Sequence, residues 1–174
     1  MKITKIIVGY LEENCYLLEK NKKYLLVDPG EDQEKVLDFI KDKEIIGILV
    51  THHHHDHIGT LPILIEKYHY PVYDANNLKE GIKNIGPFKI EVITTKGHSQ
   101  DMLCYYFKED KIMLTGDFLF KGTIGRCDLE GGNILEMKKS LEKIKKYNND
   151  IKIYPGHGDS SILGIEKITN PYLR

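Results

Sequence analysis

The sequence predicts a layered α/β sandwich, and three observations carry that expectation. Short apolar runs with strand character alternate with amphipathic helical patterns along the chain, a mixture that packs as helices against sheets. The 174 residues suit one domain of ordinary size, and no linker, repeat or low-complexity stretch divides them. We therefore expect a single domain over residues 1–174. Finally, the chemistry-bearing residues directly follow apolar runs, and residues at strand ends gather at one sheet edge.

The elements follow in order. Ile3–Val8 and Cys15–Leu18 read as strands, and Lys23–Val27 as a third, stopped by the turn residues Asp28-Pro29-Gly30. Glu31–Lys43 sets Val36, Leu37, Phe39 and Ile40 among charges, which suits an amphipathic helix. Ile45–Val50 is a short apolar strand running into Thr51 and a histidine cluster. Ile58–Tyr68 reads as a helix, with Pro62 near its start where proline is tolerated. Pro71–Tyr73 reads as a strand and Asn76–Pro87 as loop with at most one helical turn. Phe88–Thr94 alternates as a strand does, while Met102–Phe107 and Ile112–Thr115 flank a hairpin turn. Gly116–Asn133 is glycine-rich and reads as irregular. Ile134–Tyr147 is a helix with Leu135, Met137, Leu141 and Ile144 on one side. Ile151–Tyr154 is a last buried strand, and the tail from Gly164 holds one short helix.

Composition narrows the function. Apolar residues make up 41% and charged residues 29%, with 25 basic against 26 acidic side chains. That balance argues against a general electrostatic partner such as duplex nucleic acid or an anionic membrane. No apolar stretch approaches the roughly 20 residues needed to span a bilayer. The N-terminus shows no sustained apolar signal region, so a cytoplasmic protein is the expectation. The three cysteines, Cys15, Cys104 and Cys127, include no Cys-x-x-Cys pair and do not suggest a disulfide framework. Cys15 and Cys104 lie in apolar runs and read as buried thiols, and Tyr16, Tyr105 and Tyr106 as core or edge residues.

Histidine is distributed unevenly: five of the eight fall between His52 and His57. His52 and His54, two apart in an extended loop, point the same way and can grip one ion. Asp56 and His57 lie where the loop turns into the next helix and can face a second. Imidazole with carboxylate suits zinc, iron or manganese. The plain alternative is a polar loop without a ligand. His98 and His157 each sit in a glycine-flanked turn after a strand, where glycine permits close backbone approach. Asp117 follows another strand; alone it would read as a turn former.

Together, Thr51-His52-x-His54-x-Asp56-His57, Gly97-His98-Ser99, Gly116-Asp117 and Tyr154-Pro155-Gly156-His157-Gly158 resemble the metallo-β-lactamase superfamily. The stretch Gly116-Asp117-Phe118-Leu119-Phe120 through Gly125-Arg126, with Thr169-Asn170-Pro171-Tyr172-Leu173, is similar to small glyoxalase II-like (hydroxyacylglutathione hydrolase-like) hydrolases. The resemblance implies a four-layered αβ/βα sandwich with two divalent metal ions at one edge, zinc foremost, with iron or manganese as alternatives. It assigns His52, His54 and His98 to the first ion, Asp56, His57 and His157 to the second, and Asp117 as the bridge. Asp28 would support a ligand rather than bind metal, with a plain turn residue as the alternative.

The implied chemistry is hydrolysis of an α-hydroxyacyl thioester, such as S-lactoylglutathione, by a hydroxide bridging the two metals. Asp56 and Asp117 would position it and accept its proton. The expected partner is a small anionic thioester, with Lys121 and Arg126 as candidate contacts; Arg126 could instead pin its loop through backbone carbonyls. This sequence departs from the pattern at Ser99-Gln100-Asp101-Met102, where relatives often carry Thr-Pro-Gly-Ser, and at Cys127, where threonine is common. Only a short tail follows His157, without the helical C-terminal region by which larger glyoxalase II enzymes help hold glutathione. A mononuclear iron persulfide dioxygenase shares Gly125-Arg126-x-Asp128, but Asp56, His57 and His157 favour two metals. The bridging Asp117 and the lack of a cysteine ligand argue against a β-lactamase. A non-catalytic metal-binding module would close its coordination, whereas this set leaves room for water and substrate.

Overall fold

The structure is a computed structural model that describes residues 1–174. It contains thirteen strands and five helices in the order β1 (Lys2–Val8), β2 (Glu13–Lys20), β3 (Lys23–Val27), α1 (Gln33–Ile40), β4 (Ile45–Leu49), α2 (His55–Ile58), α3 (Leu61–Glu66), β5 (Val72–Tyr73), β6 (Gly81–Ile85), β7 (Phe88–Thr94), β8 (Leu103–Phe107), β9 (Ile112–Gly116), β10 (Leu119–Phe120), β11 (Thr123–Ile124), α4 (Ile134–Ile144), β12 (Lys152–Pro155), β13 (Ser161–Ile162) and α5 (Leu163–Thr169).

Two sheets face each other. One runs β1-β2-β3-β4-β5 and the other β13-β12-β9-β8-β7-β6. Strand alternation divides their side chains between faces. Tyr16 and Leu18 of β2 join Leu103, Tyr105 and Phe107 of β8 in the core between the sheets. Cys15 and Leu17 point the other way, into a second core with Val36 and Ile40 of α1 and Leu61 and Leu64 of α3. Cys104 and Tyr106 join a third with Met137, Leu141 and Ile144 of α4. Helix, sheet, sheet and helix make the four-layered αβ/βα sandwich that the resemblance implies.

Four expectations change. The helix over Ile58–Tyr68 is broken in two at Gly59-Thr60, because Thr60 is drawn to the Asp28 turn: its N–H donates to Pro29 O at 2.9 Å and its Oγ1 to Gly30 O at 2.6 Å. Within Asn76–Pro87 lies β6, an edge strand paired antiparallel to β7. Only Ile85 of it is buried, so it shows little apolar alternation. The Gly116–Asn133 stretch contains the small β10–β11 ribbon. Leu135, placed on the buried side of α4, is exposed; Ser140 takes the inward position and donates to Lys96 O at 2.7 Å.

The strand directions matter most for the site. β3 is parallel to β4, and β9 to β12. β7 and β9 both run antiparallel to β8, hence parallel to each other. The segments carrying Asp28, His52–His57, His98, Asp117 and His157 therefore leave the C-terminal ends of their strands toward one edge. That edge is tied across the sheets: Leu103 N donates to Thr51 O at 2.8 Å, and Asn14 N to Gly156 O at 2.7 Å. No helix is long and apolar enough to cross a membrane.

Candidate metal centre

The site is built from turns held by buried polar groups. Asp28 adopts a left-handed backbone conformation (φ 47°), a strained state for a residue with a side chain. Its conformation aims the carboxylate into the edge, where Oδ1 accepts from Thr51 N at 2.7 Å and Oδ2 from Thr51 Oγ1 at 2.7 Å and His57 Nδ1 at 3.1 Å. Two tyrosines anchor the neighbouring backbone. Tyr16 Oη donates to Pro155 O and Tyr105 Oη to Val50 O, both at 2.6 Å. α4 fixes the turn before His98, since Asn133 N donates to Gly97 O at 2.8 Å.

Two glycines are required by space. Gly97 has φ 145°, and a Cβ there would lie 2.5 Å from the Met137 backbone. A Cβ on Gly156 would collide with Asp117 Oδ1 and lie 2.5 Å from His57 Cε1.

The structure brings all seven predicted ligands together. His52, His54 and His98 form one group of donor atoms within 4.8 Å of one another, and Asp56, His57 and His157 form another. Asp117 lies between them. Its Oδ2 is 3.6 Å from His98 Nε2 and 3.5 Å from His157 Nε2, and its Oδ1 is 3.2 Å from His57 Nε2. Within the first group His98 Nε2 and His54 Nδ1 are 2.9 Å apart, and across the second His157 Nε2 is 3.2 Å from Asp56 Oδ2.

Four of the five histidines are oriented from outside. The Nδ1 of His52 faces Thr51 Oγ1 (3.1 Å), that of His57 faces Asp28, that of His98 faces Arg126 O (2.8 Å) and that of His157 faces Leu11 O (2.9 Å). Thr51 Oγ1 already donates to Asp28, so it accepts from His52. A proton on each Nδ1 leaves the Nε2 lone pair directed inward, the arrangement that metal-binding imidazoles require. The inward atoms His52 Nε2, His57 Nε2 and Asp117 Oδ1 are buried and have no hydrogen-bond partner. Buried polar atoms are seldom left so. A cation among them supplies the missing partner, so the donor set fits divalent metal.

The imidazoles and carboxylates set one another's charge: burial keeps His52 neutral, whereas against burial Asp117 and Asp28 hold a proton on His57, a proton that a metal ion would displace. Burial, reinforced by neighbouring His57, lowers the His52 pKa well below the ordinary imidazole value and keeps it an uncharged donor. At Asp117 burial favours the neutral form, but the neighbouring imidazoles of His157 and His57 outweigh it and hold the carboxylate ionised. For His157 burial opposes protonation, and Asp117 with Asp56 reverses that, raising its pKa to about 9.

Lys121 and Arg126 are the exceptions. Lys121 pairs with Asp159 at 3.0 Å, and Arg126 grips Asp128 through Nε (2.8 Å) and Nη2 (2.7 Å). Neither side chain hydrogen-bonds to any of the seven. It is the carbonyl of Arg126 that reaches the site, at His98, and the side chain bonds to Asp128 rather than to backbone carbonyls. Replacing Arg126 with alanine should therefore leave the melting temperature essentially where it was, as thermal denaturation would record, and a raised KM would mark the side chain as a substrate contact. Cys127 turns its thiol to Gly125 O.

Glu13 was not singled out from the sequence. It is fully buried beside His57, with Oε1 3.7 Å from His57 Nδ1 and both oxygens unpartnered. Burial pushes its pKa well above the usual carboxylate range. The available signal was a charged residue entering the apolar run of β2.

Comparison with known proteins follows the same line. The family model described as the metallo-beta-lactamase superfamily matches residues 8–80 and 74–157. Hydroxyacylglutathione hydrolase GloC of Haemophilus influenzae is 29% identical, covering 99% of this chain and 98% of its own. Among solved structures, the BLEG-1 B3 metallo-beta-lactamase is 28% identical at a TM-score of 0.92, over 99% of both chains. TTHA1623, in a di-iron-bound form, is 30% identical at a TM-score of 0.89, over 98% of this chain and 100% of that one. With its family model, sandwich and convergent histidine–aspartate cluster in agreement, the chain belongs to the metallo-β-lactamase superfamily.

Proposed function

We propose that the protein is a dinuclear metallohydrolase that cleaves α-hydroxyacyl thioesters of the S-lactoylglutathione kind. The observation that carries this reading is the set of orphaned inward atoms on His52, His57 and Asp117 at the junction of two ligand groups. His52, His54 and His98 would hold one ion and Asp56, His57 and His157 the other, with Asp117 reaching both. Zinc is the first choice, and the likeness to a di-iron protein keeps iron open. When bound, divalent ions lower the pKa of a coordinated water and polarise a carbonyl oxygen.

The residues supply the rest. Asp56 is half-buried, with Oδ2 turned to His157 Nε2, and Asp117 Oδ2 approaches the same nitrogen at 3.5 Å. Their carboxylates orient the attacking water and take up its proton at Asp56 Oδ2 or Asp117 Oδ2. The hydrogen bonds to Asp28, Thr51, Arg126 and Leu11 keep the imidazoles from turning as charge changes. A thiolate leaves without strong acid assistance, which suits a site whose protonated groups are all engaged. The likeness to GloC supports the thioester.

The likeness to BLEG-1 favours a second reading, opening of a β-lactam amide. A substrate panel separates the two. Metal-loaded protein should release thiol from S-lactoylglutathione faster than it opens a β-lactam or consumes oxygen with a persulfide. Turnover of the β-lactam or the persulfide without thiol release would overturn the proposal.

A further inference from the structure

His53 lies between two predicted ligands, points away from both, and sets each ring nitrogen against a carboxylate. Its Nδ1 is 2.5 Å from Asp101 Oδ2 and its Nε2 is 3.1 Å from Asp74 Oδ2. Its backbone N–H donates to the same Asp101 oxygen at 3.1 Å. Both ring nitrogens therefore face carboxylate oxygens and both donate. The other Asp101 oxygen accepts from Ser99 Oγ at 2.7 Å, and Ser99 directly follows His98. Asp74 is fixed in turn at the end of β5, where its Oδ1 accepts from Asn76 N at 2.9 Å.

These contacts join three chain segments at one imidazole. The His52–His54 loop leaves the first sheet and the His98 turn leaves the second; the backbone bond from Leu103 N to Thr51 O ties the two before the ligands begin, and beyond it the His53–Asp101 contact joins them. Yet His54 Nδ1 and His98 Nε2 stand within 2.9 Å of each other, close enough for both to turn to one ion. His55, the other unassigned histidine of the cluster, has an 85% exposed side chain and faces only Glu31.

We infer that His53, through Asp101, is a positioning residue that sets the spacing of the His52–His54 loop against the His98 turn and so tunes the first metal site and not the second. The inference rests on the proposed metal centre. It concerns Asp101, one of the positions where this sequence departs from the pattern it resembles.

The test is zinc titration of the full chain, stripped by a chelator, against a competing chromophoric chelator. His53→Ala and Asp101→Ala should each weaken one of two zinc equivalents by about ten- to a hundredfold, as loss of an orienting partner does. The other equivalent should keep its affinity. The double variant should be no worse than the weaker single one, Asp101→Asn should restore most of the loss, and His55→Ala should match wild type. In a His98→Ala background, His53→Ala should cause no further loss. Thermal melts of the stripped proteins check that each variant folds; an unfolded His53→Ala leaves the Asp101→Ala and Asp101→Asn pair to decide. Equal weakening of both equivalents, additive losses, or no loss would overturn the clamp. A wild-type chain that takes up no zinc would overturn the metal centre itself, whereas two tight equivalents with unchanged variants would overturn only the clamp.

Discussion

Asp117→Asn should lower turnover of an α-hydroxyacyl thioester by about 10²- to 10⁴-fold, the range typical for losing a positioned proton acceptor. Asp117 is the one residue whose two oxygens approach both ligand groups, through His57, His98 and His157. Asparagine keeps the size but replaces one anionic oxygen with an amide N–H, which would occupy an imidazole lone pair meant for metal. It removes the negative charge that offsets the metals and the base for the attacking water. The fall should appear in kcat, with the circular dichroism spectrum unchanged. Wild-type kcat in Asp117→Asn would remove Asp117 from the chemistry.

The second large effect is on stability. Asp28 is buried and accepts three hydrogen bonds, two from Thr51 and one from His57. Asp28→Ala strands the Thr51 N–H and leaves His57 without its outer partner. Breaking a buried charged network of this kind costs about 3–5 kcal/mol, or roughly 10 °C in melting temperature at this chain length. Thermal unfolding should record that loss, and the His57 site should also bind metal more weakly. A melting temperature within a degree or two of wild type would mean that the Asp28 network carries little of the edge's stability.

Much of this site was legible in the sequence because its signals are local. His52, His54, Asp56 and His57 are spaced within one loop, and His98, Asp117 and His157 each follow an apolar strand. The apolar runs of β2 and β8, the alternation of Phe88–Thr94 and the spacing of Met137, Leu141 and Ile144 in α4 showed the layers. What escaped was set by partners distant in sequence. β6 is an edge strand defined by pairing with β7 rather than by its own pattern. The break between α2 and α3 comes from Thr60 reaching back to Pro29 and Gly30. Glu13 became a site neighbour only because β2 begins beside His157. The pairing of Lys121 with Asp159 and of Arg126 with Asp128 escaped too, because these partners could not be told apart from solvated surface charges.

The central claim is that the two ligand groups hold two ions that act together in hydrolysis. Titrating the stripped protein with zinc, iron(II) or manganese(II) while following thiol release from S-lactoylglutathione tests it most directly. Activity should rise from zero and saturate at two ions per chain. Saturation at one ion per chain, or two bound ions with no thiol released, would contradict it.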